Sequence, residues 1–290
     1  MSEHHSSYYI PAPSHWPLVG SCGLTTFLVG FASWLHQDWY GPYIFLAGFA
    51  LLISMLFGWF GQVIYENSKE LYDLRVDRSF RWGMCWFIFS EVCFFGAFFG
   101  ALFYTRFWVV PLLGGEHHPM THLLLWSNFK AAWPVVFNPN NQVFTGAHKP
   151  MGAWGLAAGN TLILLTSGVT ITWAHWALKL KKQRSLLIGM ALTIMLGILF
   201  LICQSYEYHE AYTEMGLTLN AGIYGTTFFM LTGFHGLHVT IGTLMLIVIA
   251  VRCYKHHFTP ERHFAFEAVA WYWHFVDVVW LFLFIFVYWL

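Results

Sequence analysis

The stretch His263–Leu290 reads HFAFEAVAWYWHFVDVVWLFLFIFVYWL. After Glu267 it stays apolar long enough to cross a bilayer, which takes about 20 residues. It nevertheless carries Glu267, His274 and Asp277. An ionisable side chain near the bilayer centre costs about 2.5–3.5 kcal/mol on insertion scales, so such groups face protein or water rather than lipid. The helix must therefore be enclosed by other helices, with its polar stripe turned inward.

The rest of the chain agrees with that reading. It is 290 residues long, 58% hydrophobic, 20% aromatic and 10% charged, where soluble proteins are nearer about 25% charged. The formal net charge is zero, which argues against a nucleic-acid partner. The polar start, residues 1–15, lacks the basic region of a cleaved secretory signal. Cys22, Cys85, Cys93, Cys203 and Cys253 form no C-x-x-C pair. Their odd number and apolar settings argue against a disulfide framework or a cysteine zinc site.

Seven apolar runs can be marked, at roughly 17–36, 43–65, 80–108, 151–178, 186–206, 222–251 and 265–290. Basic residues alternate between the connections. Lys69, Arg75, Arg78 and Arg81 lie between runs two and three, Lys179, Lys181, Lys182 and Arg184 between four and five, and Arg252, Lys255 and Arg262 between six and seven. Only Arg106, Lys130 and Lys149 remain for the other side. The positive-inside rule then places the N-terminus in the cytoplasm and the C-terminus outside. The expected fold is an all-α polytopic membrane protein with seven transmembrane helices. Residues 1–290 form one domain, with helices 1–2 at 17–65, helices 3–7 within 80–290 and a long outer-side loop at 109–150. Loops of that length are uncommon and often functional, and this one reads as a cap on a partner or as a mobile insertion.

The polar groups inside the spans are the candidate functional residues. Glu91, in FIFSEVCFFGAFFG, lies about 16 Å along the third helix, near the midplane. An unpaired carboxylate is costly at that depth. Glu91 is therefore either a neutral acid bonded to a neighbouring helix or a proton-handling carboxyl. The sixth run, YGTTFFMLTGFHGLHVTIGTLML, offers Gly225, Gly233, Gly236 and Gly242 for close helix approach. It places His235 and His238 on one face. With His175 and His274 they make a set of intramembrane imidazoles that either ligate haem or a metal or act as neutral hydrogen bonders between helices. No E-x-x-H, C-x-x-C-H or H-E-x-x-H motif is present.

Glu207 and Glu210, three apart, could share a cation, but solvation or a bond to the sixth helix is the simpler expectation. His274 and Asp277 look like part of a hydrolytic triad, yet no serine or cysteine nucleophile shares their depth. At the inner interface Trp59, Glu66, Arg252, Lys255 and His257 suit lipid head groups or generic anchoring.

Taken together, SHWPL (14–18), RWGMCWFIFSEVCFF (81–95), SGVTITWAHWAL (167–178), YGTTFF (224–229), TGFHGLHVTIGT (232–243) and the closing stretch from His263 closely resemble subunit III of the haem–copper cytochrome c oxidases. The resemblance covers nearly the whole chain apart from 109–150. It implies a two-helix and a five-helix bundle with a cleft that holds structural phospholipid. It also implies no redox cofactor on this chain, no metal and no catalytic residue; haems and copper belong to partner subunits. The implied partners are oxidase subunit I, in direct contact, and subunit II, with cytochrome c as the substrate of the whole enzyme.

Carried over by position, Glu91 is the intramembrane carboxyl of the S-E-V motif, and Glu66 and Arg252 match positions near bound lipid. His175, His235, His238, Glu267, His274 and Asp277 are read as structural polar groups. The resemblance places the chain in a bacterial inner membrane, in an accessory role supporting proton uptake by a proton-pumping oxidase. The 109–150 loop exceeds that of the mitochondrial form. Asn220-Ala221-Gly222 stands where the family often has Asp-Gly before Tyr224. Quinol-oxidising relatives usually lack the first two helices, so seven runs favour the cytochrome c branch over a quinol oxidase.

Overall fold

The computed structural model describes Tyr9, Ile10 and residues 13–116, 118–140, 143 and 145–290. Among these residues the structure is helical and without strands. Seven helices are long and apolar enough to cross a membrane, so the chain is a multi-pass membrane protein. They are α1 (Trp16–Leu35), α2 (Gly41–Ser68), α3 (Leu74–Tyr104), α6 (Leu156–Lys179), α7 (Gln183–Thr213), α8 (Ile223–Tyr254) and α9 (Phe264–Leu283). Two short helices, α4 (Val110–Leu113) and α5 (Pro119–Leu125), follow α3. Proline opens α1, α2, α4 and α5, where its missing N–H costs nothing.

Two helices run past their expected ends. A π-helical turn over Thr105–Val109 joins α3 to α4, making one span of 40 residues. Pro111 removes a backbone donor, and the widened turn before it takes up the mismatch without ending the span. The connection expected at 109–150 thus begins as helix. α7 continues to Thr213, which takes Glu207 inside it. Glu207 is 2% exposed, so the expectation that it is solvated is corrected: the added turns aim it into the protein.

The chain divides into two compact units, Met1–Trp82 and Gly83–Leu290. In the first, α1 and α2 pack along glycines. A Cβ on Gly30 would lie 2.6 Å from the Ile44 carbonyl carbon and the Phe45 Cα. One on Gly48 would lie 2.5 Å from the Phe27 Cα, and one on Gly41 2.6 Å from the Trp34 Cα. The partners are backbone atoms, so the two helices touch main chain to main chain. Most other side chains of the pair face outward, among them Leu28, Trp34, Phe57 and Phe60.

In the second unit α9 is the hub. Trp273 and Trp280 are fully buried. The Trp273 ring fits against Gly197 of α7 and Gly242 of α8, where an added Cβ would stand 2.8 and 2.9 Å from it. Its Nε1–H donates to Ser167 Oγ on α6 at 2.9 Å. Nearly two turns of α6 earlier, Thr161 Oγ1 accepts from Trp280 Nε1 at 2.9 Å. Each α9 tryptophan thus lies against small residues or ring faces and is fixed by one hydroxyl. Removing that hydroxyl leaves a buried indole donor unpaired, which costs about 1–3 kcal/mol. We expect Ser167→Ala and Thr161→Val each to lower the thermal stability of the detergent-solubilised protein by that order. Trp-to-hydroxyl bonds that are energetically irrelevant would leave the melting temperature unchanged.

The long outer connection packs on this unit's own helices. Phe129 and Val135 are buried, Asn138 Nδ2 donates to the Ala221 carbonyl at 3.2 Å, and the Met151 N–H donates to Tyr224 Oη at 3.0 Å.

Candidate functional site

The buried polar groups do not converge on one centre. They form separate small groups, most of them joining two helices. Glu91 on α3 meets His238 on α8, with Oε2 2.8 Å from Nε2. His238 Nδ1 lies 2.6 Å from the Phe234 carbonyl. A carbonyl only accepts, so Nδ1 carries a hydrogen. The bridge to Glu91 then holds one shared proton, carried either by the carboxyl or by Nε2. The pair is enclosed by rings, with Phe94 and Phe95 centred 5.9 and 5.0 Å from the imidazole and Tyr272 stacked at 6.3 Å.

His235 shares α8 but not that partner. It is fully buried and contacts the Val276 carbonyl of α9 through Nε2 at 3.2 Å. Its ring leans on Trp280 and Phe200. His274 lies 3.6 Å from Asp277 and 3.3 Å from Thr172 Oγ1 on α6. The α6 backbone comes so close here that a Cβ on Gly168 would stand 2.5 Å from Asp277 Oδ2. His175 lies elsewhere again, with Nε2 3.5 Å from Glu267 Oε1. The four imidazoles that the sequence allows as haem or metal ligands thus take four different partners.

The inner-interface candidates fall in both units. In the first, Glu66 is buried and its carboxylate is already engaged. Gln62 Nε2 donates to Oε1 at 2.9 Å and Tyr72 Oη donates to Oε2 at 2.9 Å. Gln62 in turn accepts from Trp16 Nε1 at 2.9 Å. This chain of bonds ties the start of α1 to the end of α2 and to the connection beyond it. Burial, with Glu66 beside it, holds the Tyr72 phenol well above its ordinary range. Trp59 is exposed and stacks on Phe60. In the second unit, Arg252 lies with its guanidinium 4.4 Å from the centre of the Phe258 ring, while Lys255 and His257 are exposed.

Gln62, Tyr72 and His263 are among the polar residues that sequence reading passed over, as are Ser167, Thr161 and Thr172. His263 Nε2 stands 3.3 Å from Glu267 Oε1, one helical turn away. That i,i+4 spacing was present in the closing stretch itself.

With this geometry in place, comparison with known proteins is direct. Residues 5–125 and 120–290 match the family model described as cytochrome c oxidase subunit III. Over 290 residues the chain is 39% identical to the cytochrome c oxidase subunit 3 of Dugong dugon and to that of Equus caballus, spanning 100% of this chain and 99% of each relative. It is 40% identical over 291 residues to cytochrome c oxidase subunit 3 of Drosophila melanogaster. The matches run the length of both molecules and take in every intramembrane pair described above, and the chain belongs to the cytochrome c oxidase subunit III family.

Proposed function

We propose that this chain, a subunit of cytochrome c oxidase by its family, serves the enzyme without carrying electrons. It braces subunit I, holds phospholipid near the inner interface and sustains proton uptake during turnover. The observation that carries this reading is the partnering of the intramembrane polar groups within the chain. Glu91 bridges to His238, His235 to a carbonyl and His274 to Asp277 and Thr172. Groups occupied in this way lock helices together. The haems and copper then reside in partner subunits, and cytochrome c is the electron donor of the complex.

Lipid holding draws on Trp59 and Glu66 in the first unit and on Arg252, Lys255 and His257 in the second. An exposed indole on one unit and basic groups at a helix end on the other each have the chemistry of a head-group level. The chain sits in a bacterial plasma membrane with its N-terminus cytoplasmic. Eleven of the 14 Lys and Arg residues on alternate connections support that orientation.

The test is removal of this subunit from the purified oxidase. Initial electron transfer from cytochrome c to oxygen is expected to stay near the intact rate, while the number of turnovers before inactivation falls severalfold. Equal endurance with and without the subunit would refute the supporting role. A lost initial rate would refute the non-redox assignment.

A further inference from the structure

We propose that a cavity at the end of the second unit opposite the Lys/Arg-rich connections binds a neutral lipid with a hydroxylated head, of the glycosyl-acylglycerol class. Three segments enclose it: the π turn and α4 that close the third span, the connection between α5 and α6, and the start of α8. Its volume is about 650 Å³, and sites for small ligands run to about 300–1,000 Å³. Val110 and Val135, both buried, give it an apolar interior. Tyr104, Leu219 and Ile223 also line it and are exposed. The apolar surface therefore continues outward, where a lipid tail can follow it.

The head-group chemistry follows from the polar groups. Among the described residues that line the cavity, none carries a formal charge. Asn138, Asn140, Asn220 and Thr226 supply amides and a hydroxyl instead. Such groups both donate and accept hydrogen bonds, as the hydroxyls of a sugar or glycerol do. A phosphate would meet no cation here, and burying an unpaired anion is costly. Arg106 adjoins Thr105 in the chain, but its guanidinium is turned to the Trp133 ring and the Leu290 carbonyl. A quinone offers carbonyl acceptors only and would leave the acceptors of these side chains unmatched.

The polar groups are held in place before any ligand arrives. Asn138 is 6% exposed, and its Nδ2 donates to the Ala221 carbonyl at 3.2 Å. Its amide lies so close to α8 that a Cβ on Gly222 would stand 2.7 Å from the amide carbon. Thr226 Oγ1 donates to the Leu219 carbonyl at 2.9 Å and to the Gly222 carbonyl at 3.0 Å, so its lone pairs remain to accept. Groups fixed in this way lose little freedom on binding. Trp126 adds a flat apolar ring with a polar edge to the same wall. Arg252 and Lys255 lie at the other end of α8, so the two ends of the second unit present different head-group chemistry. The site does not depend on the supporting role proposed above.

The experiment uses the whole oxidase, purified in a polyoxyethylene detergent that carries no sugar. It is mixed with monoglucosyl dioleoylglycerol and washed, and the released subunits are weighed by native mass spectrometry. Wild type is expected to retain one more glucolipid on this subunit than Ile223→Trp, whose indole obstructs the opening, and than Asn220→Leu. Dioleoyl phosphatidylglycerol should bind all three alike, and excess free glucose should leave the retained glucolipid in place. Asn220 is exposed, so Asn220→Leu decides the matter if Ile223→Trp fails to assemble. Equal glucolipid retention in wild type and the assembled variants overturns the proposal. Loss of phosphatidylglycerol together with the glucolipid overturns the neutral head, and displacement by glucose overturns the lipid.

Discussion

Replacing both Gly30 and Gly48 by alanine is expected to separate α1 from α2 and to release the first unit's contacts. A Cβ at either position would stand 2.5–2.6 Å from backbone carbon atoms of the facing helix, whereas carbon atoms rest comfortably at about 3.5–4.0 Å. Main chain cannot rotate aside as a side chain does. The helices must therefore part by about 1 Å, losing dispersion contacts along their length. Overpacking of this kind costs about 1–3 kcal/mol per site, and two sites on one crossing act together. Parting the helices also stretches the 2.9 Å bond from Trp16 to Gln62. Proteolysis of the purified oxidase within residues 36–40 should accelerate at least tenfold. Gly61→Ala is the control, because a Cβ there meets nothing within 4 Å. It should be neutral or slightly stabilising, as alanine favours helix over glycine by about 1 kcal/mol. Equal protease resistance in the double variant and the control would disprove main-chain contact between α1 and α2.

The second large effect concerns the carboxyl–imidazole bridge between α3 and α8. Glu91→Ala is expected to destabilise the protein strongly and Glu91→Gln only slightly. Alanine leaves His238 Nε2 without its carboxyl partner, beside Phe94 and Phe95. An unpaired buried polar group costs about 1–3 kcal/mol, and the vacated side-chain volume adds to that. Removing hydrogen bonds within membrane bundles costs less on average, about 0.6 kcal/mol. Here the larger figure applies, because the ring is held by its Nδ1 contact to Phe234 and cannot turn to find another partner. Glutamine restores the bridge, since its amide donates to the same Nε2.

The pair of variants therefore separates two roles. If Glu91 only joins helices, Glu91→Gln should sustain turnover like wild type. If it handles protons, Glu91→Gln should assemble normally yet inactivate severalfold sooner. Comparable melting of Glu91→Ala and wild type would remove the bridge from the account of stability altogether.

The seven spans were legible because length and apolarity alone decide them. Their ends were less so. QSYEYHEAY looks like the polar exit of a helix, yet it continues α7 to Thr213, because its inward residues pair with neighbours that no local window contains. Pro111 looks like a stop, and the π turn before it absorbs the disruption. The polar residues were individually visible, but their partners were not. Glu91 and His238 lie 147 positions apart, and their meeting depends on the rotation and height of two helices. Glycine-to-tryptophan contacts such as Gly242 against Trp273 set that register, and these require three-dimensional packing. The pairing of His263 with Glu267 is the exception: one turn apart at a single helix start, it was readable, yet His263 was passed over.

The position of α9 at the centre of its unit has a consequence for biogenesis. Ribosomes deliver α6 and α8 to the membrane before α9 exists, so Ser167, Thr161 and His235 enter without the indoles and carbonyl they later meet. Until the final segment leaves the translocon, the earlier helices form an unfinished ring with its polar lining unmatched. Nascent chains halted before Phe264 should therefore be the species that insertion chaperones hold and quality-control proteases remove.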